Sequence, residues 1–173
     1  KAGVCIAQNG PGINNFVTGI GAEMGAHSPV VCITPEAGTL TKGHGGFQEC
    51  DQIPMFSTIT KGQFHVNHPA RMAEFTGLAF DTALRTRGPT QLNIPRDYFY
   101  GEHKFLIPEP LDVSLTRTPG NMTQLQKAAQ MLAGAKKPVI LAGGVKIRLI
   151  LKGASAPVSE IKLIRTDTTL DLR

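Results

Sequence analysis

The 173 residues carry 41% hydrophobic and 18% charged side chains, a balance that excludes disordered and collagen-like classes and suffices for one large domain or one domain with part of another. No apolar run approaches the roughly 20 residues that a spanning helix needs. The net charge of +5 does not point to nucleic acid: from Lys146 onward six Lys or Arg face three acids, and two Tyr with no Trp give no stacking platform. Lys1 leads straight into a strand-like run instead of a secretory signal, so a cytoplasmic protein with no membrane partner is expected. The missing initiator Met reads as a piece of a longer chain.

The first run, Val4 to Ala7, enters Gln8-Asn9-Gly10-Pro11-Gly12-Ile13-Asn14-Asn15. This is a strand followed by a glycine-bracketed proline turn and a helix, the place where α/β sheets hold small ligands. Ile13 to Ala26 puts Ile13, Phe16, Val17, Ile20 and Met24 on one side of a helix, with small residues elsewhere. Val30 to Ile33 and Gln91 to Ile94 are short apolar runs bounded by Gly, Pro or polar residues, of the kind found in buried parallel strands. Between them Pro69 opens a helix that carries Met72, Phe75, Leu78, Ala79 and Ala83 and stops near Arg87-Gly88-Pro89. Alternating strand and helix implies an α/β fold with a mainly parallel sheet flanked by helices.

Residues 98 to 120, with Pro108, Pro110, Pro119 and Gly120, read as a linker. Asn121 is a good N-cap for a helix with Leu125, Ala128, Ala129 and Leu132 as its stripe, followed by the strand Val139 to Ala142 and a turn at Gly143-Gly144. The expected organisation is therefore a partial α/β domain over 1–100, a linker over 101–120, the start of a second α/β domain over 121–145 and an unassigned tail over 146–173. Cys5, Cys32 and Cys50 form no CxxC pair and are expected as buried reduced thiols. His65 and His68 stand without Cys or acidic company in the sequence, so no metal site is assigned.

Four motifs follow in order: the Gly10-Pro11-Gly12 turn, Gly45-Gly46-Phe47-Gln48-Glu49, Ile59-Thr60-Lys61, and Gly88-Pro89-Thr90-Gln91-Leu92-Asn93-Ile94-Pro95-Arg96-Asp97. Together they resemble the pyrimidine-binding domain of thiamine-diphosphate enzymes of the acetolactate-synthase and pyruvate-oxidase type, incomplete here. Within that family, Ala7-Gln8-Asn9-Gly10-Pro11-Gly12 and Asn93-Ile94-Pro95-Arg96-Asp97-Tyr98 resemble the branch that turns sulfoacetaldehyde and phosphate into acetyl phosphate and sulfite. Acetolactate synthases usually carry Ser or Thr where this chain has Gln8-Asn9. The resemblance covers residues 1 to about 145.

The resemblance implies thiamine diphosphate and Mg2+ as cofactors, a small-molecule substrate, a role in sulfonate metabolism such as taurine degradation, and a homodimer or homotetramer as the full-length protein. It places Pro11 and Asn15 against the cofactor's aminopyrimidine, the first as a rigid apolar surface and the second as donor and acceptor. It places Phe47 and Gln48 near the substrate, where Phe excludes water and Gln binds a carbonyl or sulfonate oxygen. Lys61 and His44 could meet a sulfonate, although each also reads as solvated or structural. The glutamate that activates the cofactor is expected upstream of residue 1 and the metal ligands in another domain, so this stretch alone is expected to be inactive. Glu23 and Glu49 fall at other motif positions. A carboligase of the acetolactate-synthase kind is the nearest alternative. A non-catalytic nucleotide-binding or interaction module is a more distant one, since both G-x-G-x-x-G and a P-loop signature are missing.

Overall fold

The computed structural model describes residues 1–109, 120–136, 138–142 and 147–151, the last two ranges as backbone alone. The chain divides into two compact units, Lys1–Val113 and Ser114–Arg173. The first unit is built on four strands, β1 (Gly3–Ile6), β2 (Val30–Glu36), β3 (Gln63–His65) and β4 (Thr90–Pro95). They run parallel in the order β1-β2-β4-β3, with Cys5 opposite Cys32, Cys32 opposite Gln91, and Thr34 opposite Asn93. Every residue of β4 is buried, as expected of a strand with neighbours on both edges and helices on both faces.

The two faces differ in chemistry. On one, Val31, Leu92 and Ile94 meet Ala79 and Ala83 of α4 (Met72–Thr86), with Ile33, Phe75 and Phe80 around them. The small alanines let α4 lie close, and Thr90 Oγ1 donates to the Ala79 carbonyl at 3.1 Å. On the other face, Cys32 packs with Ile13 of α1 (Pro11–Asn14), Ile20 of α2 (Phe16–Ala26) and Phe56 of α3 (Gln52–Phe56). Strand alternation then brings Thr34, Gln91 and Asn93 to this second face, so it turns polar toward the carboxyl ends of the strands.

The helix expected from Ile13 to Ala26 is two helices meeting at Asn15, with α2 closed by His27 in the left-handed region (φ 57) and Ser28 N–H on the Glu23 carbonyl. Pro69 opens a short 3-10 turn over Pro69–Arg71, capped by the His68 ring, before α4 begins. α4 stops at Arg87, also left-handed, as the Arg87-Gly88-Pro89 signal indicates. β3 and α3 were not anticipated: Gln63-Phe64-His65 is three residues on a sheet edge and carries no apolar run.

In the second unit α5 (Met122–Gly134) is capped by Asn121, whose Oδ1 accepts from Gln124 N–H at 3.2 Å. β5 (Pro138–Ala142) pairs antiparallel with β6 (Ile147–Leu151), Ala142 opposite Ile147. The chain therefore returns along β5 at a stretch whose mixed pattern gave no assignment. The Gly143-Gly144 turn, most of the linker (110–119) and the tail from 152 lie outside the described residues.

Phe56 is fully buried beneath β2 on the second face. Phe56→Ala leaves a cavity there and is expected to cost about 3–5 kcal/mol of unfolding free energy, read from the urea midpoint.

Candidate functional site

The site grows from the end of β1. After Ile6 the chain turns at Gly10, whose φ of 67 and ψ of −115 suit glycine and few other residues. Pro11 follows as the first residue of α1, where its lack of an N–H costs nothing, and Ile13 drives the short helix into the core. Asn15 lies at the α1–α2 junction, exposed, with its side chain making no cap bond. Of the two glycines only Gly10 is strictly required: a Cβ there would lie 2.2 Å from the Gln48 carbonyl oxygen, whereas one on Gly12 would meet Ala7 and Gln8 at 3.4 Å.

The structure thus brings the proline turn against the loop that carries Phe47 and Gln48, 37 residues away in sequence. Asn9, itself buried, donates from Nδ2 to the Gln48 carbonyl at 3.2 Å. Gln48 holds a left-handed backbone (φ 60), a strained state for a non-glycine residue, and its Oε1 is buried with no partner. Phe47 is 81% exposed. Glu49 closes the loop by accepting Gly43 N–H at 2.5 Å and Gly46 N–H at 3.0 Å. Those backbone donors hold its carboxyl below the ordinary glutamate range.

Beneath the turn lies a buried chain of amides. Gln52 Oε1 accepts Gly10 N–H at 3.2 Å, and its Nε2 reaches the Pro35 carbonyl (2.5 Å), Asn93 Oδ1 (3.0 Å) and the Thr34 carbonyl (3.3 Å). Thr34 Oγ1 donates to Asn93 Oδ1 at 2.8 Å, Gln91 Nε2 donates to Thr34 Oγ1 at 3.1 Å, and Gln63 Nε2 donates to Gln91 Oε1 at 2.6 Å. Sequence reading missed Gln52 and Asn9; an isolated glutamine before Ile-Pro carries no pattern that announces burial.

A charged cluster adjoins this chain. Glu36, the last residue of β2, is 6% exposed at its side chain and pairs with Lys42 Nζ at 2.8 Å and His65 Nε2 at 2.5 Å. Burial opposes its ionisation, yet Lys42, the nearby Asn93 amide and His65 outweigh that and hold the carboxyl below the ordinary glutamate range. Asn93 Nδ2 is itself buried with no hydrogen-bond partner. His65 therefore does have acidic company, supplied from a strand 29 residues earlier, which the sequence order concealed.

Among the other residues singled out, Lys61 sits at the amino ends of the strands, its N–H on the Pro89 carbonyl at 2.7 Å and its stem over Gly88, opposite the turn. His44 is exposed beside Thr41, and His68 caps a 3-10 turn. All three cysteines are free, Cys32 buried and Cys5 and Cys50 half-buried. Among the described residues no group of three or more His, Cys, Asp or Glu could hold a metal ion, and no helix is long and apolar enough to cross a membrane.

Chemically, the arrangement gathers apolar and polar groups around the turn that follows β1. It has an exposed proline face, a free asparagine amide and, where Gln48 packs on Gly10, a buried acceptor that lacks a donor. Residues 1–55 match the family described as thiamine pyrophosphate enzyme, N-terminal TPP binding domain. The chain is similar to a sulfoacetaldehyde acetyltransferase of Alcaligenes xylosoxydans xylosoxydans, at 61% identity over 83% of this chain and 24% of that protein. A sulfoacetaldehyde acetyltransferase of Castellaniella defragrans is 58% identical over 83% of the chain and 24% of its own length. A probable acetolactate synthase large subunit of Methanocaldococcus jannaschii is 38% identical over 90% of the chain and 27% of its own length. The chain thus spans about a quarter of the length of these relatives.

Gly10→Ala combines a left-handed backbone with a clash against a backbone oxygen and is expected to cost at least about 2 kcal/mol, while Gly12→Ala costs under about 1 kcal/mol; paired urea titrations measure both. The depressed Glu36 carboxyl contributes stability that is fully present above the ordinary glutamate value of 4.5 and is lost as pH falls through its lower folded value. The stability difference between wild type and Glu36→Gln should therefore shrink as the pH is taken below about 4.5, seen as converging denaturation midpoints.

Proposed function

We propose that this chain, which carries the N-terminal binding domain of the thiamine pyrophosphate enzymes over residues 1–55 and is homologous to sulfoacetaldehyde acetyltransferases over most of its length, works in an enzyme that converts sulfoacetaldehyde and phosphate to acetyl phosphate and sulfite. The observation that carries this reading is the lock between the Gly10 turn and the Gln48 carbonyl, which joins the two motif-bearing segments into one wall. Thiamine diphosphate, when bound, supplies the electron sink for cleavage next to a carbonyl.

The chain's own residues bind and orient. Pro11 presents its ring as an apolar face to the aminopyrimidine, and the Asn15 amide hydrogen-bonds the edge of that ring. The unpartnered Gln48 Oε1 supports this placement, since an aminopyrimidine brings the N–H donor that such an oxygen lacks. Phe47 shields the reacting carbon from water, and the Gln48 side-chain NH2 meets a substrate carbonyl or sulfonate oxygen. The diphosphate and Mg2+ are held by residues other than these. Under the same reading residues 1–100 are part of the pyrimidine-binding domain, 101–120 a linker and 121–145 the start of a central α/β domain. The protein acts in the cytoplasm as a homodimer or homotetramer.

The acetolactate-synthase likeness supports a second reading, a carboligase acting on pyruvate. The two separate on the full-length protein carrying this segment. Sulfite release from sulfoacetaldehyde that depends on thiamine diphosphate, Mg2+ and phosphate is the expected result. Acetolactate formed from pyruvate with no sulfite would replace it with the second reading. Asn15→Ala should raise the thiamine diphosphate concentration for half-maximal rate about tenfold, the loss of about 1.4 kcal/mol.

A further inference from the structure

The carboxyl end of β2 bears a buried carboxylate that this reading leaves without a task. Glu36 is almost fully enclosed, while its two partners are not: Lys42 is 47% and His65 41% exposed at the side chain. A carboxylate taken out of water is costly unless paired, and this one is paired on both oxygens. Its own backbone is held on one edge, where Glu36 sits opposite Pro95 of β4 beyond the Val30–Ile33 stretch that β1 also pairs, and its side chain is enclosed. Glu36 is therefore a fixed charged post, and Lys42 is a handle on a surface segment.

That segment leads directly to Phe47 and Gln48. Beyond Lys42 the loop has little packing to define it: added Cβ atoms at Gly43 and Gly45 would meet nothing within 4 Å. What holds it is polar and discrete. Thr39 bonds Asp97 through its N–H (2.9 Å) and hydroxyl (2.5 Å), Lys42 bonds Glu36, and the Gln48 carbonyl accepts from Asn9. Glu49 then fixes the internal curl through Gly43 and Gly46. With so few anchors, each one governs where the loop tip stands.

We propose that Glu36 is a positioning residue: acting through Lys42, with His65 as its second clamp, it sets the conformation of the Gly43–Gln48 loop and so the affinity for the substrate that Phe47 and Gln48 meet. The affinity part rests on the reading of Phe47 and Gln48 given above; the loop-setting part does not.

The test uses the full-length protein with Glu36→Gln, Lys42→Met and the double variant. Hydrogen exchange at the Gly43 and Gly46 amides is expected to rise about tenfold in each single variant, with amides of α4 and β4 unchanged. KM for sulfoacetaldehyde should rise about five- to tenfold with kcat changed less than about twofold, and the double variant should be no worse than Glu36→Gln. Lys42 is a surface residue, so its variant keeps the test alive should Glu36→Gln fold poorly. Unchanged loop exchange in Lys42→Met, or additive effects in the double variant, would overturn the proposal. A wild type that releases no sulfite while loop exchange still rises in the variants would sink the assigned reaction and uphold the loop anchor.

Discussion

The proline turn at the carboxyl end of β1 depends on one side chain, Gln52. Its amide oxygen holds the N–H of Gly10 and its amide nitrogen binds strand carbonyls and Asn93, so a single planar group joins the proline turn to β2 and β4. Inside a protein such bonds are electrostatically stronger than in water, and an unmade one costs about 1–3 kcal/mol. Thr34, Gln91, Asn93 and Gln63 extend this bonded chain across three strands. A polar layer of this kind gives up hydrophobic burial in half of one sheet face and gains in return a turn with a single geometry.

The division of labour between the two sheet faces follows from this. The α4 face is apolar apart from Thr90, whose hydroxyl bonds the Ala79 carbonyl, and supplies packing, with alanines that admit the helix closely. The opposite face is apolar only near Cys32 and Phe56 and becomes amide-rich toward Glu36. Apolar packing and polar hydrogen bonding are thereby concentrated on different sides of the same four strands. The loop with Phe47 extends from the polar end, tied by ion pair and hydrogen bonds instead of packing, which leaves its tip exposed.

Legibility in the sequence tracked the physical origin of each feature. β1, β2 and β4 announced themselves because buried parallel strands need short apolar runs, and α4 because Pro69 and the Arg87-Gly88 stop bracket a helical stripe. β3 was silent, since three residues on an edge need no apolar pattern and take their register from β4. The break at Asn15 was silent too, because apolar spacing runs through it without interruption. For the site, the Gly10-Pro11-Gly12 turn stood out by itself behind a strand-like run, whereas Phe47-Gln48 stood out only as part of an ordered set of motifs. Glu36, His65 and Lys42 did not, because they come from a strand end, an edge strand and a loop that have no sequence neighbourhood in common.

The sequence by itself determined the α/β class and the strand-end turn at Gly10-Pro11-Gly12. These are set by local rules: glycine's dihedral freedom, proline at a helix start, and apolar runs of strand length. Only the tertiary structure decided that Gly10 cannot bear a β-carbon, that Gln52 is the tie beneath it, and that Glu36 is charged though buried. Each of these depends on a partner tens of residues away or on a strand neighbour. Contacts between distant segments are fixed by register and burial, which no local pattern encodes.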